Sequence, residues 1–208
     1  AGYSFKTNSD TEVVLLSFHA WNVKAITYFK GMFSLTIFDR LAQKLYLIRD
    51  RFGVKPLYYF LDNDLLLFGS ELKPLHVHPR FKKELNTKSI WCFFQYGNIP
   101  SPHSIFNQTF KVEPGTIVTI DCNTLHLEKN TFWSPELAFQ KVPLSISFEE
   151  AKRHTQELLF DSINLRMVAD VPVGLFLSGG YDSATTAACL TKTHKNLKTF
   201  TVAVPEAG

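Results

Sequence analysis

Two adjacent glycines, Gly179 and Gly180, separate a short apolar run at 174–177 from a run of small residues at 183–190. The apolar run predicts a β-strand, the small residues predict a helix, and a second apolar run at 199–204 predicts another strand. Strand, loop, helix and strand at this spacing predict a parallel α/β unit with a right-handed crossover. One such unit is too little sheet for a complete doubly wound domain.

The loop of this unit has the composition of an anion-binding site. It follows a predicted parallel strand and opens a helix, where free N–H groups and the helix dipole favour negative charge. Gly179 and Gly180 allow the backbone to form a nest of N–H donors, and Ser178 and Ser183 add hydroxyl groups. Asp182 would repel phosphate unless a divalent cation lay between them, so phosphate binding here implies Mg²⁺.

Two familiar phosphate loops are excluded by the sequence of this segment. The Gly-Lys-Ser/Thr ending of a Walker A loop is absent, and no third glycine follows at the spacing of a dinucleotide-binding fingerprint. On the pattern alone, a tight strand-to-helix turn that merely needs flexible residues is the alternative to a phosphate cradle.

Short apolar segments dominate the N-terminal half of the chain. They predict β-strands at 32–38, 45–48, 57–60, 65–68, 116–120 and 125–127. Ser9-Asp10-Thr11-Glu12 has the pattern of a capping box and predicts the start of a helix. Because strands this apolar need cover on both faces, we expect antiparallel sheets stacked in layers.

The pattern changes near residue 135. Ser147 and Glu150 form a second capping-box pattern, and apolar residues at helical spacing follow it as far as Met167. We expect this helix to end at Val171, because Pro172 disfavours the helical conformation in the residue before it. The sequence therefore predicts two domains, the first spanning 1–137 and the second 138–208.

Composition and charge exclude several classes of protein. With 45% hydrophobic residues the chain can bury a substantial core, which argues against disorder. The net charge is only +3 and the basic residues are scattered, so neither a nucleic-acid partner nor, given the short apolar runs, a membrane is predicted. The three cysteines, Cys92, Cys122 and Cys189, have unrelated spacings and fit a reduced, cytoplasmic compartment better than a disulfide framework.

Several motifs of the chain resemble those of one enzyme family. The loop SGGYDS at 178–183 resembles the SGGxDS pyrophosphate loop of the ATP pyrophosphatases, and 166–183 resembles the start of the synthetase domain of glutamine-dependent asparagine synthetases. That family usually has Leu at the position of Tyr181. Other segments resemble the later part of the family's class II glutamine amidotransferase domain and the segment that closes it: 8–13, 30–39, 49–59, 68–75, 96–106 and 112–116.

The resemblance implies a mixed α/β fold in two parts and a two-step reaction. An Ntn-type αββα amidotransferase portion of antiparallel sheets would precede the first βαβ unit of a parallel α/β domain like that of the adenine-nucleotide α-hydrolases. The amidotransferase would hydrolyse glutamine and send ammonia through an internal channel. The synthetase would activate aspartate with ATP and Mg²⁺ as an acyl-adenylate, which ammonia then attacks. The resemblance leaves open a homodimer of the full-length parent.

The resemblance also assigns roles to single residues. Ligands of pyrophosphate and Mg²⁺ are implied at five loop positions, with the carboxylate as the metal ligand: Ser178, Gly179, Gly180, Asp182 and Ser183. Phe176 or Leu177 would line the adenine and ribose side, and Val202 would pack on the adenine. Asp10 matches the aspartate that receives the α-amino group of glutamine, and a carboxylate suits an ammonium group. The alternative for Asp10 is an ordinary member of a helix N-terminus.

One expected feature of the family has no match in this sequence. The family hydrolyses glutamine with an N-terminal cysteine, whereas the chain begins Ala1-Gly2-Tyr3, and none of its three cysteines stands in a matching context. No catalytic residue is therefore assigned, and we expect an internal fragment of a longer ligase that is inactive alone. A relative that amidates or cyclises another carboxylate, and a non-catalytic nucleotide-binding module, are the alternatives.

Two further groups of polar residues are expected to have structural roles. Arg49, Asp50 and Arg51 precede a glycine, and we expect an ion-pair cluster that supports the sheet. His76 and His78 could be metal ligands, but neither an acidic residue nor a cysteine lies beside them in the sequence, which favours a solvated loop.

Overall fold

The computed structural model describes residues 2–203, and the chain divides into two compact units. The first unit ends at Val142 and the second begins at Pro143. The first unit contains, in chain order, α1 (Asp10–Trp21), a 3₁₀ helix (Asn22–Tyr28), β1 (Ser34–Asp39), β2 (Lys44–Arg49), β3 (Tyr58–Asp62), β4 (Leu65–Gly69), α2 (Leu72–Leu75), α3 (Thr87–Tyr96), β5 (Thr109–Lys111), β6 (Thr116–Asp121), β7 (Leu127–Thr131) and α4 (Pro135–Phe139). The second contains α5 (Phe148–Leu165), β8 (Gly174–Phe176), α6 (Tyr181–Leu190) and β9 (Lys198–Phe200).

Strand β2 lies inside a four-stranded antiparallel sheet of order β1-β2-β6-β7. Its residues Leu45, Tyr46, Leu47 and Ile48 are all buried, although successive side chains of a strand point to opposite faces. An antiparallel strand that is apolar on both faces must be covered on both. The structure provides both covers, which confirms the expectation of layered antiparallel sheets.

A second antiparallel sheet, of order β4-β3-β5, covers one face of the first. Leu45 and Leu47 of the first sheet share one buried cluster with Tyr59 of the second. Val118 and Ile120 of β6 complete the first sheet's side of that cluster. The main core of this unit therefore lies between the two sheets.

Helices form the outer layers of the first unit. Phe18 of α1 packs edge-on against Tyr46, with 5.0 Å between their ring centroids, on the face of β2 that points away from the second sheet. On the outer face of the second sheet, Phe60 packs with Leu75 of α2 and with Phe81. The order of layers is helix, sheet, sheet, helix, which is the αββα arrangement that the resemblance implies.

The second unit is a helix followed by a strand, a helix and a strand. The Ser147 hydroxyl accepts the N–H of Glu150, and the Glu150 carboxylate accepts the N–H of Ser147 at 2.9 Å, so the predicted capping box is confirmed. Strands β8 and β9 pair in parallel, with Phe176 opposite Phe200, and α6 connects them. The predicted order of strand, glycine loop, helix and strand is confirmed.

Two helix ends differ from the sequence prediction. Ser9 does cap α1, but Glu12 does not close a capping box, because its carboxylate accepts the N–H groups of Lys6 and Thr7 at 2.8 and 2.7 Å. Helix α5 ends at Leu165 rather than at Val171. After Leu165 the main-chain hydrogen bonds join residues three apart. The Arg166 N–H donates to the Ile163 carbonyl at 3.1 Å, and the Met167 N–H donates to the Asn164 carbonyl at 3.0 Å.

Two strands also differ from their predicted bounds. Strand β7 was expected at 125–127, but Leu125 has a φ of 55° and belongs to the turn, so the strand begins at Leu127. Strand β9 is shorter than predicted, and Val204 of the predicted strand lies outside the described residues. The boundary at 137 and 138 stays a prediction. Within residues 2–203, no helix combines the length and the apolar character needed to cross a membrane.

Candidate functional site

The glycine loop of the second unit joins β8 to α6. Gly179 has a φ of +82°, in the left-handed region where a glycine is tolerated without strain, and open space surrounds the position a Cβ would take. Gly180 is the N-cap residue of α6 and has an extended backbone. The chain therefore leaves β8 and turns sharply, so that Tyr181 and Asp182 form the first turn of the helix.

The main-chain donors of this loop are free. Among the described residues, the N–H groups from Ser178 to Ser183 donate no hydrogen bond. On either side the pairing resumes, with the Leu177 N–H bonded to the Phe200 carbonyl at 2.8 Å and the Ala184 N–H to the Gly180 carbonyl at 3.0 Å. Unpaired N–H groups at a helix N-terminus, together with the helix dipole, form a binding place for an anion.

The two loop hydroxyls lie against each other. Ser183 Oγ donates to the Gly180 carbonyl at 3.1 Å, and Ser178 Oγ lies 3.2 Å from Ser183 Oγ. Because the Ser183 proton goes to the carbonyl, Ser178 is the donor of the bond between the two hydroxyls. These bonds fix the entrance to the helix before any ligand arrives.

Asp182 is exposed, and within the described residues its carboxylate makes no hydrogen bond or ion pair. Only its main-chain carbonyl is bonded, by the Thr186 hydroxyl at 2.9 Å. Mg²⁺ in proteins commonly takes one or two carboxylates and completes its shell with water and phosphate oxygens. A free carboxylate beside an open row of N–H groups fits that donor set.

The three residues predicted to lie beside the adenine are found at the ends of the paired strands β8 and β9. Phe176 is the last residue of β8, Leu177 follows it, and Val202 lies beyond the end of β9. Phe176 is 79% exposed, and its ring centroid is 6.3 Å from that of Phe200. Leu177 is half-buried and, as the next residue of an extended segment, points to the opposite face. Only one of these two side chains can therefore line a given face of the pair of strands.

Val202 lies two residues past the end of β9 and is 83% exposed. The hydroxyl of its neighbour Thr201 donates to the Leu177 carbonyl at 2.7 Å. That bond holds the segment of Val202 beside the residue that enters the glycine loop. Thr201 has a positioning role that the sequence interpretation missed, because the bond depends on how β8 and β9 pair.

Asp10, the predicted glutamine ligand, lies in the first unit, whereas the glycine loop lies in the second. It is the first residue of α1, it is exposed, and the Thr11 hydroxyl lies 3.5 Å from its carboxylate. The segment before the helix is fixed by Glu12, whose pKa is lowered mainly by the hydrogen bond from the Thr7 hydroxyl. This contact fixes the entry to α1 and leaves the Asp10 carboxylate exposed.

Arg49 and Asp50 support the fold in a different way from the one predicted. Instead of an ion-pair cluster, the Arg49 guanidinium donates to the carbonyls of Lys55, Val112 and Gly53 at 2.9, 2.7 and 2.6 Å. The Asp50 carboxylate, in a residue that is 2% exposed, accepts three main-chain N–H groups of the turn that follows it. Both side chains therefore replace missing main-chain partners.

His76 is not in a solvated loop, which corrects the sequence expectation. Its ring packs against Phe81 and Phe106, with centroid distances of 5.1 and 4.9 Å. Within residues 2–203, no group of three or more His, Cys, Asp and Glu side chains is placed to hold a metal ion.

Comparison with known proteins gives two family matches. Residues 1–133 match the model of the glutamine amidotransferase domain, and residues 154–208 match the model described as asparagine synthase. Glutamine-hydrolyzing asparagine synthetase 1 of Bacillus subtilis is 33% identical over 207 residues, covering 100% of this chain and 32% of the relative. Glutamine-hydrolyzing asparagine synthetase 2 of the same organism is 34% identical over 210 residues, covering 96% of this chain and 28% of the relative.

The chain thus spans about a third of the length of the curated relatives it matches. Among solved structures, the glutamine phosphoribosylpyrophosphate amidotransferase of Bacillus subtilis, complexed with ADP and GMP, aligns with a TM-score of 0.41 at 15% identity. That alignment covers 100% of this chain and 42% of the solved one.

Proposed function

Because the chain belongs to the glutamine amidotransferase domain family over residues 1–133 and then matches the asparagine synthase family, we propose that it is part of a glutamine-dependent asparagine synthetase. In this proposal 1–137 is the later part of the amidotransferase domain and 138–208 is the beginning of the ATP-binding domain. The whole protein would be a ligase that joins the amide nitrogen of glutamine to the side-chain carboxylate of aspartate, with ATP as the energy source.

The observation that supports this function best is the state of the glycine loop. It presents free N–H groups from Ser178 to Ser183 and an exposed carboxylate at Asp182, inside the segment that matches the synthase family. Four of these N–H groups, from Gly180 to Ser183, are open at the start of every α-helix, and here no side chain caps them, so they remain available beside the free carboxylate. A triphosphate with a bridging cation satisfies both groups at once.

The proposed chemistry begins with a carboxylate, which is a poor electrophile. One oxygen of the aspartate side chain would attack the α-phosphorus of ATP, and pyrophosphate would leave. Ammonia would then attack the acyl carbon, AMP would leave with the bonding electron pair, and the new amide nitrogen would lose a proton to solvent. The main-chain N–H groups of the five proposed ligands would hold the departing pyrophosphate, while the hydroxyls of two of them shape the entrance: Ser178, Gly179, Gly180, Asp182 and Ser183, with the hydroxyls on Ser178 and Ser183.

Asp182 is the proposed ligand of Mg²⁺, which when bound would neutralise charge on the pyrophosphate oxygens. Phe176 or Leu177, on opposite faces, would line the adenine and ribose, and Val202 would pack on the adenine. Asp10 would receive the α-amino group of glutamine through a charge-assisted hydrogen bond. Cys92, Cys122 and Cys189 are free and half-buried, and we assign none of them to glutamine hydrolysis.

The three free thiols also support a reduced compartment, and we propose a cytoplasmic location. A homodimer of the full-length parent, without nucleic-acid or membrane partners, belongs to the same proposal. That this chain alone has neither glutaminase nor synthetase activity stays a prediction. Incubating it with glutamine, aspartate and ATP and assaying for asparagine checks that prediction, and asparagine formation would contradict it.

Titrating the chain with ATP in the presence and absence of Mg²⁺ tests the nucleotide site. With Mg²⁺ present, we expect Asp182→Ala to weaken ATP binding at least about tenfold, because a charged ligand of the cation is lost. Without Mg²⁺, the same variant should bind ATP no more weakly than the unaltered chain, because a carboxylate that repels phosphate has been removed. Asp170→Ala, at another exposed aspartate of the second unit, is the matched control. Failure of the unaltered chain to bind ATP with Mg²⁺ would overturn the proposal.

A further inference from the structure

Tyr181 is the first residue of α6 and is 93% exposed. Among the described residues its ring makes no aromatic contact and its hydroxyl makes no hydrogen bond. A large side chain with a polar tip is therefore held at the open end of the helix without a partner.

The helix directs this side chain towards the free N–H groups. In an α-helix each Cα–Cβ bond tilts towards the N-terminus, and long side chains point back in the same direction. For the first residue of α6, that direction is the end at which Gly179 and Gly180 leave their N–H groups open. The Tyr181 hydroxyl can thus approach the same anion as the loop.

The other side-chain donors of the loop are already used. The Ser183 hydroxyl donates to the Gly180 carbonyl and the Ser178 hydroxyl donates to Ser183. No Lys or Arg occurs between 178 and 190. The phenol of Tyr181 is consequently the side-chain donor within the loop that remains available to a ligand.

Tyr181 immediately precedes Asp182, the proposed Mg²⁺ ligand. We propose that the Tyr181 hydroxyl donates a hydrogen bond to the pyrophosphate portion of ATP and so adds a binding contact to this site. The inference rests on the proposed function of the loop.

The test compares the unaltered chain with Tyr181→Phe, which removes only the hydroxyl, and Tyr181→Leu, which also removes the ring. Binding of inorganic pyrophosphate and of ATP is measured with Mg²⁺ present. We expect Tyr181→Phe to weaken both ligands about tenfold, because a hydrogen bond to a charged group is lost, and Tyr181→Leu to weaken them at least as much. Tyr96→Phe, at an exposed tyrosine of the first unit, is the matched control and should change neither.

The outcomes separate this inference from the proposed function. If the unaltered chain binds both ligands and Tyr181→Phe binds them equally well, the contact is wrong and the nucleotide site stands. A loss for ATP alone would place Tyr181 against the nucleoside and also overturn the inference. If the unaltered chain binds neither ligand, the result contradicts the proposed function of the loop itself and not only the Tyr181 contact. Far-UV circular dichroism of each variant checks the fold, and a loss of helix in Tyr181→Phe would indicate a structural role instead.

Discussion

The two units of the chain differ in how much of their apolar surface they bury. Within residues 2–203, every buried hydrophobic residue except Leu190 belongs to the first unit. The second unit leaves Val168, Phe176, Tyr181 and Val202 largely exposed. Burial of apolar side chains is the main stabilising contribution to a fold, so the first unit has a much larger source of stability than the second.

The two units also differ in how many main-chain N–H groups of a comparable turn are hydrogen-bonded. In the first unit, the turn after β2 has its main-chain N–H groups bonded by the buried Asp50 carboxylate. In the second, the turn after β8 leaves its N–H groups open and the Asp182 carboxylate free. A turn with all partners supplied supports a core, whereas a turn with free donors is able to bind a ligand. The open turn with the candidate binding site thus lies in the unit that buries less apolar surface in this chain.

The largest expected effect comes from the aromatic residues of the two units. Phe60→Ala removes a fully buried ring that packs 5.1 Å from Phe81, and we expect a loss of about 3–5 kcal/mol in the free energy of unfolding. Phe176→Ala removes a ring that is already exposed, so the loss should stay within about 0.5 kcal/mol. Urea unfolding followed by tryptophan fluorescence measures the first effect, because Trp21, Trp91 and Trp133 all lie in the first unit.

Phe94→Ala provides the control for the first unit, since Phe94 is an exposed ring of α3. It should leave the fluorescence transition unchanged. The effect of Phe176→Ala on the second unit is followed by far-UV circular dichroism, to which the long helix α5 contributes. A destabilisation by Phe176→Ala as large as that by Phe60→Ala would contradict the difference in burial between the two rings, because it would mean that Phe176 is covered in solution.

Asp50 gives the next largest expected effect and tests whether the closed turn matters. Asp50→Ala removes a buried carboxylate that accepts three main-chain N–H groups of the turn after it, and we expect a loss of about 3 kcal/mol in the free energy of unfolding of the first unit. Asp50→Asn keeps one acceptor oxygen and should lose less. Asp182→Ala, at the open turn, should leave unfolding unchanged while it weakens ATP binding. Equal stability of Asp50→Ala and the unaltered chain would contradict the supporting role of this carboxylate.

Much of the first unit could be predicted because its signals are local. The hairpin of β3 and β4 is marked by the turn residues at 62–64, and its register joins Tyr59 to Phe68 as two apolar runs of equal length suggest. Strand β5 could not be found in the same way, because three residues carry too little pattern and their pairing with β3 joins distant parts of the chain. Only tertiary contacts define such a strand.

Helix α3 was missed although its ends have local signals. The Asn86 side chain accepts the N–H of Ser89 at 3.2 Å, and Gly97 ends the helix with a φ of 70°. The apolar residues between them do lie at helical spacing, but the structure leaves Trp91 and Phe94 exposed and buries Ser89. A pattern that assumes an apolar face turned inward fails where the aromatic face is turned outward.

The candidate loop itself was predictable to the residue, but the state of its groups was not. Two glycines, two serines and one aspartate indicate an anion site by their chemistry. The sequence does not show that Ser178 and Ser183 bond each other, which leaves Tyr181 as the free hydroxyl. Nor does it show that Phe176 and Leu177 lie on opposite faces near Thr201 until β8 and β9 are paired.

The helix caps offer a smaller test of the same comparison. Ser147 caps α5 in a complete capping box, whereas Ser9 caps α1 without a return bond from Glu12. We expect Ser147→Ala to lower the free energy of unfolding of the second unit by about 1 kcal/mol, because α5 has little burial to compensate for the lost cap. Ser9→Ala should change the first unit less. Far-UV circular dichroism for the former and tryptophan fluorescence for the latter measure the two losses, and a larger loss for Ser9→Ala would reverse the expected order.

The smallest effect at neutral pH is expected at Tyr59, in the core between the two sheets. Burial, with a further contribution from the negative charge of Glu113, raises the pKa of Tyr59 from 10.0 to about 12. Between these values the unfolded chain loses the phenolic proton and the folded chain keeps it, so stability present below pH 10 is progressively lost as pH rises towards 12. At neutral pH, we expect Tyr59→Phe to unfold at the same urea concentration as the unaltered chain. Above pH 10, we expect the variant to unfold at a higher urea concentration than the unaltered chain. Tyr96→Phe, at an exposed ring, should keep the original pH dependence, and an identical alkaline loss in both variants would show that Tyr59 is not the group responsible.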